Sequence, residues 1–251
     1  MSNGLYNGIN NGLHNGIYDG LNNGCTEGMF YENGKLDVIK NGLKLYINPN
    51  INKCYVGDGV KMYDLSGNNN HATLVGGATY KKELYYSYIQ LDGISGYVNL
   101  PITGFAPPEL SYSVWVNGTA TFHVLDNNDQ PELRLRWYTS RINARLYDSG
   151  AYFINANGTT VVDINKWNNI TVCCKNGSQQ VYLNGRLEIS GTGAFDGNST
   201  RNLLEHKIGT YTRGNEGFSN MKVGAYLFYN RSLSASEVKY NYEYLRPLFI
   251  K

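Results

Sequence analysis

A glycine stands at every fourth position from Gly4 to Gly28, and this spacing restricts what the start of the chain can form. A helix over this segment would carry one glycine in every turn, at a cost of about 1 kcal/mol each relative to alanine. Glycine instead favours repeated turns with positive φ. The repeat therefore excludes a stable helix here and predicts an extended, turn-rich arm over residues 1–36.

An apolar residue follows almost every glycine of the repeat. Because the period is even, these residues lie on one side of an extended segment, with the glycines on the other. Nothing within the segment covers this apolar row, so we predict that it packs against further copies of the chain, or against another protein. The alternative is a flexible, low-complexity tail. The predicted assembly residues are Leu5, Ile9, Leu13, Ile17, Leu21 and Met29.

From about Val38 the pattern changes to short alternating runs separated by glycine, asparagine and aspartate. In such a run every second side chain faces the same way, as Tyr112, Val114 and Val116 do. A series of runs of this kind is typical of a β-sandwich. We therefore predict two parts, the arm over 1–36 and one all-β domain over 37–251.

Charge and hydropathy exclude several classes of function. Lys and Arg number 22 against 20 Asp and Glu, an excess too small for a dedicated nucleic-acid binder. No run approaches the roughly 18 apolar residues of a membrane span, and the first residues lack the segments of a signal peptide. We expect no nucleic-acid partner and no membrane insertion. The spacing of the four cysteines predicts reduced thiols.

The hairpin around Asn184-Gly185 permits a finer prediction. A two-residue turn at Asn184-Gly185 would place Val181 opposite Glu188, whereas a three-residue loop places it opposite Ile189. We predict the loop, because it keeps the apolar face of the hairpin intact.

Only the C-terminal region predicts a helix. Ser234 is an N-cap with Glu237 three residues later, the pattern of a capping box, and Pro247 ends the helix. Its predicted packing stripe is Ala235, Val238, Tyr242 and Leu245.

A set of short motifs follows in order between about Asn41 and Leu245. They are Gly42–Pro49, Asp64–Leu74, Leu91–Val98, Ser113–Val116, Trp167–Val172, Tyr182–Gly185, Ile208–Gly209 and Tyr229–Val238. In this order they resemble the laminin-G-like, concanavalin-A-like jelly-roll domains in virion proteins of large DNA viruses and tailed phages.

The resemblance implies an all-β, two-sheet antiparallel jelly-roll sandwich with one short C-terminal helix. It also implies a protein of the virion surface, with the arm attached to capsid or other virion proteins or to copies of itself, a trimer being one such assembly. The domain would then be a structural decoration, fibre head or module that contacts host surface glycans. A free carbohydrate-binding lectin with a flexible tail is the alternative. Trp115 and Trp167 would be packing residues.

Some members of that family bind Ca²⁺ on loops at the sandwich edge. In this chain Ser95-Gly96 replaces the usual acidic pair after Asp92-Gly93, so we predict no metal and no cofactor, with Ca²⁺ as the alternative. Glycosidases need two carboxylates across the scissile bond. The sequence lacks the closely spaced acidic motif of the laminarinase-like relatives, and we predict that the protein has no catalytic residues and is not an enzyme.

The segment from Leu133 to Tyr147 provides the strongest candidate binding residues. If Thr139-Ser140 forms a turn, one side of the hairpin is apolar and the other is cationic, with two arginines directly opposed, which is unfavourable without an anionic partner. An anionic glycan would supply one, and the alternative is a solvated face partly neutralised by Glu132 or Asp148. The predicted ligand-binding residues here are Arg134, Arg136, Tyr138, Arg141 and Arg145.

A second candidate is the polar loop that begins at Asp64. Its side chains could bind a polar ligand, or they could satisfy their own backbone through Asx turns. The candidate residues are Asp64, Asn68, Asn70 and His71.

Overall fold

A computed structural model of the chain describes residues 37–102, 109–118, 122–125, 132–148, 151–193, 206–210 and 217–250. The predicted arm and its assembly residues Leu5, Ile9, Leu13, Ile17, Leu21 and Met29 lie outside these ranges. The strands are β1 Leu43–Ile47, β2 Lys61–Met62, β3 Ala72–Val75, β4 Thr79–Lys82, β5 Ser87–Asp92, β6 Tyr97–Leu100, β7 Glu109–Gly118, β8 Phe122–Leu125, β9 Glu132–Tyr138, β10 Arg141–Asp148, β11 Ala151–Asn157, β12 Asn168–Lys175, β13 Ser178–Leu183, β14 Arg186–Gly191, β15 His206–Ile208 and β16 Asn220–Tyr229. Helix α1 spans Ala235–Leu245 and a 3-10 turn follows at Arg246–Leu248.

The larger layer is an antiparallel sheet in the order β14-β13-β12-β7-β16-β5-β4. Strand β16 pairs along one edge with β7. Its other edge is shared, since Asn220–Val223 pair with β5 and Tyr226–Tyr229 pair with β1. This sharing brings β1 into the sheet beside β5.

The opposite layer consists of two four-stranded sheets, in the orders β11-β10-β9-β8 and β15-β6-β3-β2. They lie next to each other where β8 approaches β15. Apolar side chains from all three sheets form one buried core, with Val114 from the large sheet, Trp137 from β9 and Val98 from β6 among them. The predicted jelly-roll sandwich is confirmed.

The far side of the large sheet is covered by the C-terminal region. Trp115 lies between two core residues of β7, so its side chain points to this far side. Its ring stacks on Tyr242 of α1 at 5.5 Å and on Phe249 at 4.8 Å, and Trp167 lies 4.8 Å from Phe249 on the other side. Both tryptophans are buried and pack as predicted.

Helix α1 begins with the predicted capping box. The Ser234 side chain accepts a hydrogen bond from the backbone N–H of Glu237, whose carboxylate accepts one from the N–H of Ser234. The predicted stripe is wrong at Ala235, which is exposed. Asn241 is buried in the stripe instead, because its side chain donates to the Tyr229 hydroxyl at 3.0 Å.

The hairpin of β13 and β14 corrects one prediction. Its turn is the two-residue one, with positive φ at both Asn184 (50°) and Gly185 (74°), as a type I′ turn requires. Val181 still pairs with Ile189, because a β-bulge between the turn and this pair restores the register. The bulge contains Glu188, and it reconciles the preferred turn with the apolar face.

The cysteines at 54, 173 and 174 are free and buried. Burial raises the pKa of Cys54 to about 12 and that of Cys173 to about 11. Among the described residues, no helix has the length and apolar character that a membrane span requires.

Candidate functional site: an outward arginine face

Strands β9 and β10 form the hairpin that carries the predicted arginines. They are joined at Thr139 and Ser140, whose φ angles of 50° and 59° fit a type I′ turn. The strand pairing is the predicted one, with the pairs Trp137–Ile142, Arg136–Asn143, Leu135–Ala144 and Arg134–Arg145.

The pairing separates the hairpin into two faces. Leu135, Trp137 and Ile142 belong to the sandwich core. Because side chains alternate along a strand, the neighbouring polar residues point outward. We call this outward surface the arginine face, and it consists of Arg134, Arg136, Tyr138, Arg141 and Arg145.

A row of hydrogen bonds crosses three strands on this face. The Arg136 Nε donates to Asn143 Oδ1 at 2.8 Å, and Asn143 Nδ2 donates to Asn157 Oδ1 of β11 at 2.9 Å. The Arg136 guanidinium also lies 5.6 Å from the centre of the Tyr138 ring. These contacts restrict the Arg136 side chain before any ligand arrives, which lowers the entropy cost of binding.

The five residues differ in exposure. Arg134 is buried, with 7% of its surface accessible, while Tyr138 at the hairpin end is 47% exposed. Arg136, Arg141 and Arg145 are half-buried. Arg141 is also tied down, because its guanidinium donates to the backbone carbonyl of Thr159. The accessible part of the face therefore lies toward the turn, around Arg136, Tyr138 and Arg141.

Sequence reasoning missed Asn143 and Asn157, the two asparagines of the row. The available signal is the alternation in β11, where Asn155 and Asn157 flank the less exposed Ala156. In the pairing of β10 with β11, Asn157 lies opposite Asn143 and Asn155 lies opposite Arg145.

The polar loop from Asp64 to His71 uses its side chains internally. The Asp64 carboxylate accepts hydrogen bonds from the backbone N–H groups of Tyr46 (2.9 Å), Ser66 (2.8 Å) and Asn70 (3.0 Å). His71 Nδ1 accepts from the Asp64 N–H at 3.1 Å.

The asparagines of the same loop hold it against β1. Asn68 Nδ2 donates to the Leu43 carbonyl at 3.1 Å, and Asn70 Nδ2 donates to the Lys44 carbonyl at 2.7 Å. The loop is thus a structural connection to β1. A ligand-binding role for Asp64, Asn68, Asn70 and His71 stays a prediction.

The Asp92 turn does not fit a calcium ion. One oxygen of its carboxylate accepts from the N–H groups of Ile94, Ser95 and Gly96 at 2.8 to 2.9 Å. Hydrogen bonds from the Ser95 and Ile94 backbone lower the pKa of Asp92 to about 2. A methyl group on Gly77 would lie 1.7 Å from the other oxygen, so the neighbouring turn fills that side.

Ca²⁺ requires six to eight oxygen ligands, whereas this carboxylate faces N–H donors. In the described part of the chain, no group of three or more His, Cys, Asp and Glu side chains could hold a metal ion.

The antiparallel jelly-roll sandwich places the chain in the class of lectin-like domains. The chain belongs to the Laminin_G_3 family of the concanavalin A-like lectin/glucanases superfamily, whose model matches residues 92–239. A search of the curated proteins finds no match to the sequence.

Several solved structures share the fold at low sequence identity. The binding domain of Paraclostridial Mosquitocidal Protein 1 matches with a TM-score of 0.61 and 17% identity, over 82% of this chain and 53% of that one. A botulinum neurotoxin type C structure, whose title states that cell entry depends on two ganglioside molecules, matches with a TM-score of 0.61 and 13% identity, over 82% and 52%. The chain thus spans about half the length of these toxin chains.

Domain 4 of AbnA is matched over nearly its whole length. This domain of a GH43 extracellular arabinanase from Geobacillus stearothermophilus, in complex with arabinotriose, has a TM-score of 0.58 and 18% identity, over 78% of this chain and 96% of that one. These likenesses establish the fold.

Proposed function

We propose that the jelly-roll domain is a non-catalytic glycan-binding module and that its arginine face binds an anionic glycan. The observation that carries the proposal is the placement of Arg136 and Arg141 at the accessible end of a hairpin face whose other side packs in the core. Arginine matches carboxylate and sulfate groups with paired N–H donors. The ganglioside interaction of the botulinum neurotoxin type C and the arabinotriose complex of AbnA domain 4 support a saccharide ligand for a domain of this fold.

The accessible end of the arginine face provides the test. Arg136→Gln with Arg141→Gln removes two positive charges there without touching the core. We expect retention on sulfated or sialylated glycans to fall about tenfold or more, because two charge-assisted contacts are lost. Lys81→Gln with Lys82→Gln on exposed β4 removes the same charge elsewhere and is the matched control.

Two results would contradict the proposal. One is unchanged retention by the arginine variant. The other is an equal loss in the lysine control, which would indicate that net charge alone decides retention.

We further propose that residues 1–36 anchor or oligomerise the protein at a virion surface, with a trimer or a capsid protein as the partner. The period-four apolar row and the resemblance to virion jelly-roll proteins support this role. Light scattering coupled to size-exclusion chromatography on the full chain, and on a chain that begins at Val38, tests it. A trimer that becomes a monomer on truncation is the expected result.

If both chains are monomers, self-assembly is excluded. If the full chain then pulls down capsid proteins and the shorter chain does not, the arm is an anchor to the capsid. If the chain neither assembles with itself nor binds capsid proteins, the remaining interpretation is a free lectin with a flexible tail.

A further inference from the structure

A groove of about 560 Å³ lies between the β13–β14 turn and helix α1, and Thr160 forms part of its wall. The helix contributes Lys239, Tyr242 and Glu243, which share one side of α1 because they follow an i, i+3, i+4 spacing, and Arg246 of the following 3-10 turn lies on the same side. The hairpin contributes its turn and Arg186, the first residue of β14. We call this concavity the hairpin–helix groove.

The walls of the groove are fixed by packing. Gly185 has a φ of +74°, and a methyl group added to it would lie 2.9 Å from the Tyr242 ring, so the turn backbone rests on that ring. Tyr242 in turn stacks on buried Trp115 with an interplanar angle of 7°. The site is therefore built on a strand turn and a helix face that are held together, rather than on a free loop.

Both carboxylates in the groove are already bound. Glu188 accepts from the N–H and the hydroxyl of Thr160, each at 2.7 Å. Burial alone would raise the pKa of Glu188, but these hydrogen bonds outweigh it and the pKa lies below its usual value. Glu243 pairs with Arg246 at 3.0 Å.

Two cationic side chains of the groove have no charged or hydrogen-bonding partner among the residues that the structure describes. Arg186 and Lys239 are exposed, and neither forms an ion pair or a side-chain hydrogen bond with any residue that the structure describes. Arg186 and the Tyr242 ring both line the groove, and burial raises the pKa of Tyr242 despite the positive charges of Arg246 and Arg186 nearby. A concave surface lined by uncommitted cations and an aromatic ring concentrates anions, because the walls reduce solvent screening.

We infer that the hairpin–helix groove is a second binding site, which takes the sulfate or carboxylate group of an acidic saccharide between Arg186 and Lys239. The guanidinium supplies paired donors for the oxyanion, and the ammonium supplies a second charge. The inference rests on the proposed function in one respect: it assumes that the anion is part of a glycan. The groove and the arginine face adjoin at Thr159 and Thr160, which bind Arg141 and Glu188 respectively, so reporters and variants on both sides are needed to separate the two sites.

The test uses the full chain and three ligands on one scaffold: lactose, 3′-sulfated lactose and 3′-sialyllactose. Titrations followed by ¹H–¹⁵N NMR separate the two sites, because the amides of Gly185 and Arg186 report on the groove and those of Ile142 and Asn143 on the arginine face. We expect both anionic lactoses, and not lactose, to shift the groove amides. A response to only one of them identifies whether sulfate or carboxylate is the bound group.

Variants then assign the effect to the two cations. Arg186→Gln with Lys239→Gln is expected to weaken the anionic ligands about tenfold or more at the groove, while Lys81→Gln with Lys82→Gln changes nothing there. All four positions are exposed, so folding is preserved, and thermal unfolding checks this.

The inference is overturned if the groove amides do not respond, if lactose acts as strongly as the charged ligands, or if the groove variant binds like the parent. Silence of the arginine-face amides alone would contradict the proposed function and leave the groove standing.

Discussion

Because His206 is buried, we expect the free energy of unfolding to decrease in mild acid. The side chain is completely buried in the core, with the rings of Tyr112 and Phe228 edge-on at 6.2 and 6.0 Å. Neither ring nitrogen has a hydrogen-bond partner among the described residues. Burial therefore disfavours the charged imidazolium and lowers the pKa of His206 from 6.5 to about 4.

The pH window follows from these two pKa values. Below pH 6.5 the unfolded chain binds a proton at this site, whereas the folded chain does not until about pH 4. Stability is therefore lost as the pH falls through this window, at 1.36 kcal/mol per pH unit. The contribution of His206 to the free energy of unfolding should decrease by about 2 kcal/mol between neutral pH and pH 5, and by about 3 kcal/mol by pH 4.

Urea denaturation at pH 7, 6, 5 and 4 measures this loss, with His206→Leu as the comparison. Leucine fills a similar volume and cannot titrate, so the difference between the two proteins isolates the histidine. The parent should lose about 3 kcal/mol more than the variant from pH 7 to pH 4. Asp92 does not contribute in this window, because its stabilisation is lost only as the pH falls from about 3.8 toward about 2. Parallel pH profiles for the two proteins would refute the reasoning.

Three further predictions concern the C-terminal packing and its turns. Phe249→Ala empties the slot between two tryptophan rings and should lower the free energy of unfolding by about 3 to 5 kcal/mol, measured by urea denaturation with tryptophan fluorescence. Gly185→Ala should cost more than Gly177→Ala, because both have positive φ but only the first places a methyl group against Tyr242; equal losses in thermal unfolding would contradict the contact. Ser234→Ala removes the N-cap and should cost about 1 kcal/mol, with little change in the helical signal by circular dichroism.

Local rules predicted the register and turn of the β9–β10 hairpin. An outward arginine row and an inward row through Trp137 leave one register in which the core stays apolar, and a slip by one residue would bury the arginines. The turn at Thr139-Ser140 follows from that register. The capping box at Ser234 is equally local, because the cap and its partner are only three residues apart.

The features that sequence did not predict depend on distant residues. The bulge at Glu188 is held by Thr160, which lies 28 residues away. The burial of Asn241 depends on the hydroxyl of Tyr229, and the asparagine row depends on Asn157 reaching Asn143 across strands. Such partners are known only once the strands are placed, and no local periodicity identifies them.

Both proposed sites depend on a two-residue turn with positive φ, but the core determines their orientation in different ways. In the β9–β10 hairpin the register is uninterrupted, so every second residue points away from the core and the arginines form one face. In the β13–β14 hairpin the preferred Asn184-Gly185 turn would leave Val181 opposite a glutamate, and the bulge corrects this by displacing Glu188 toward Thr160. Glu188 is the carboxylate on the same strand as Arg186, and in this position it binds Thr160 instead of Arg186. The bulge that keeps the apolar core intact therefore also leaves Arg186 in the groove without a carboxylate partner on its own strand.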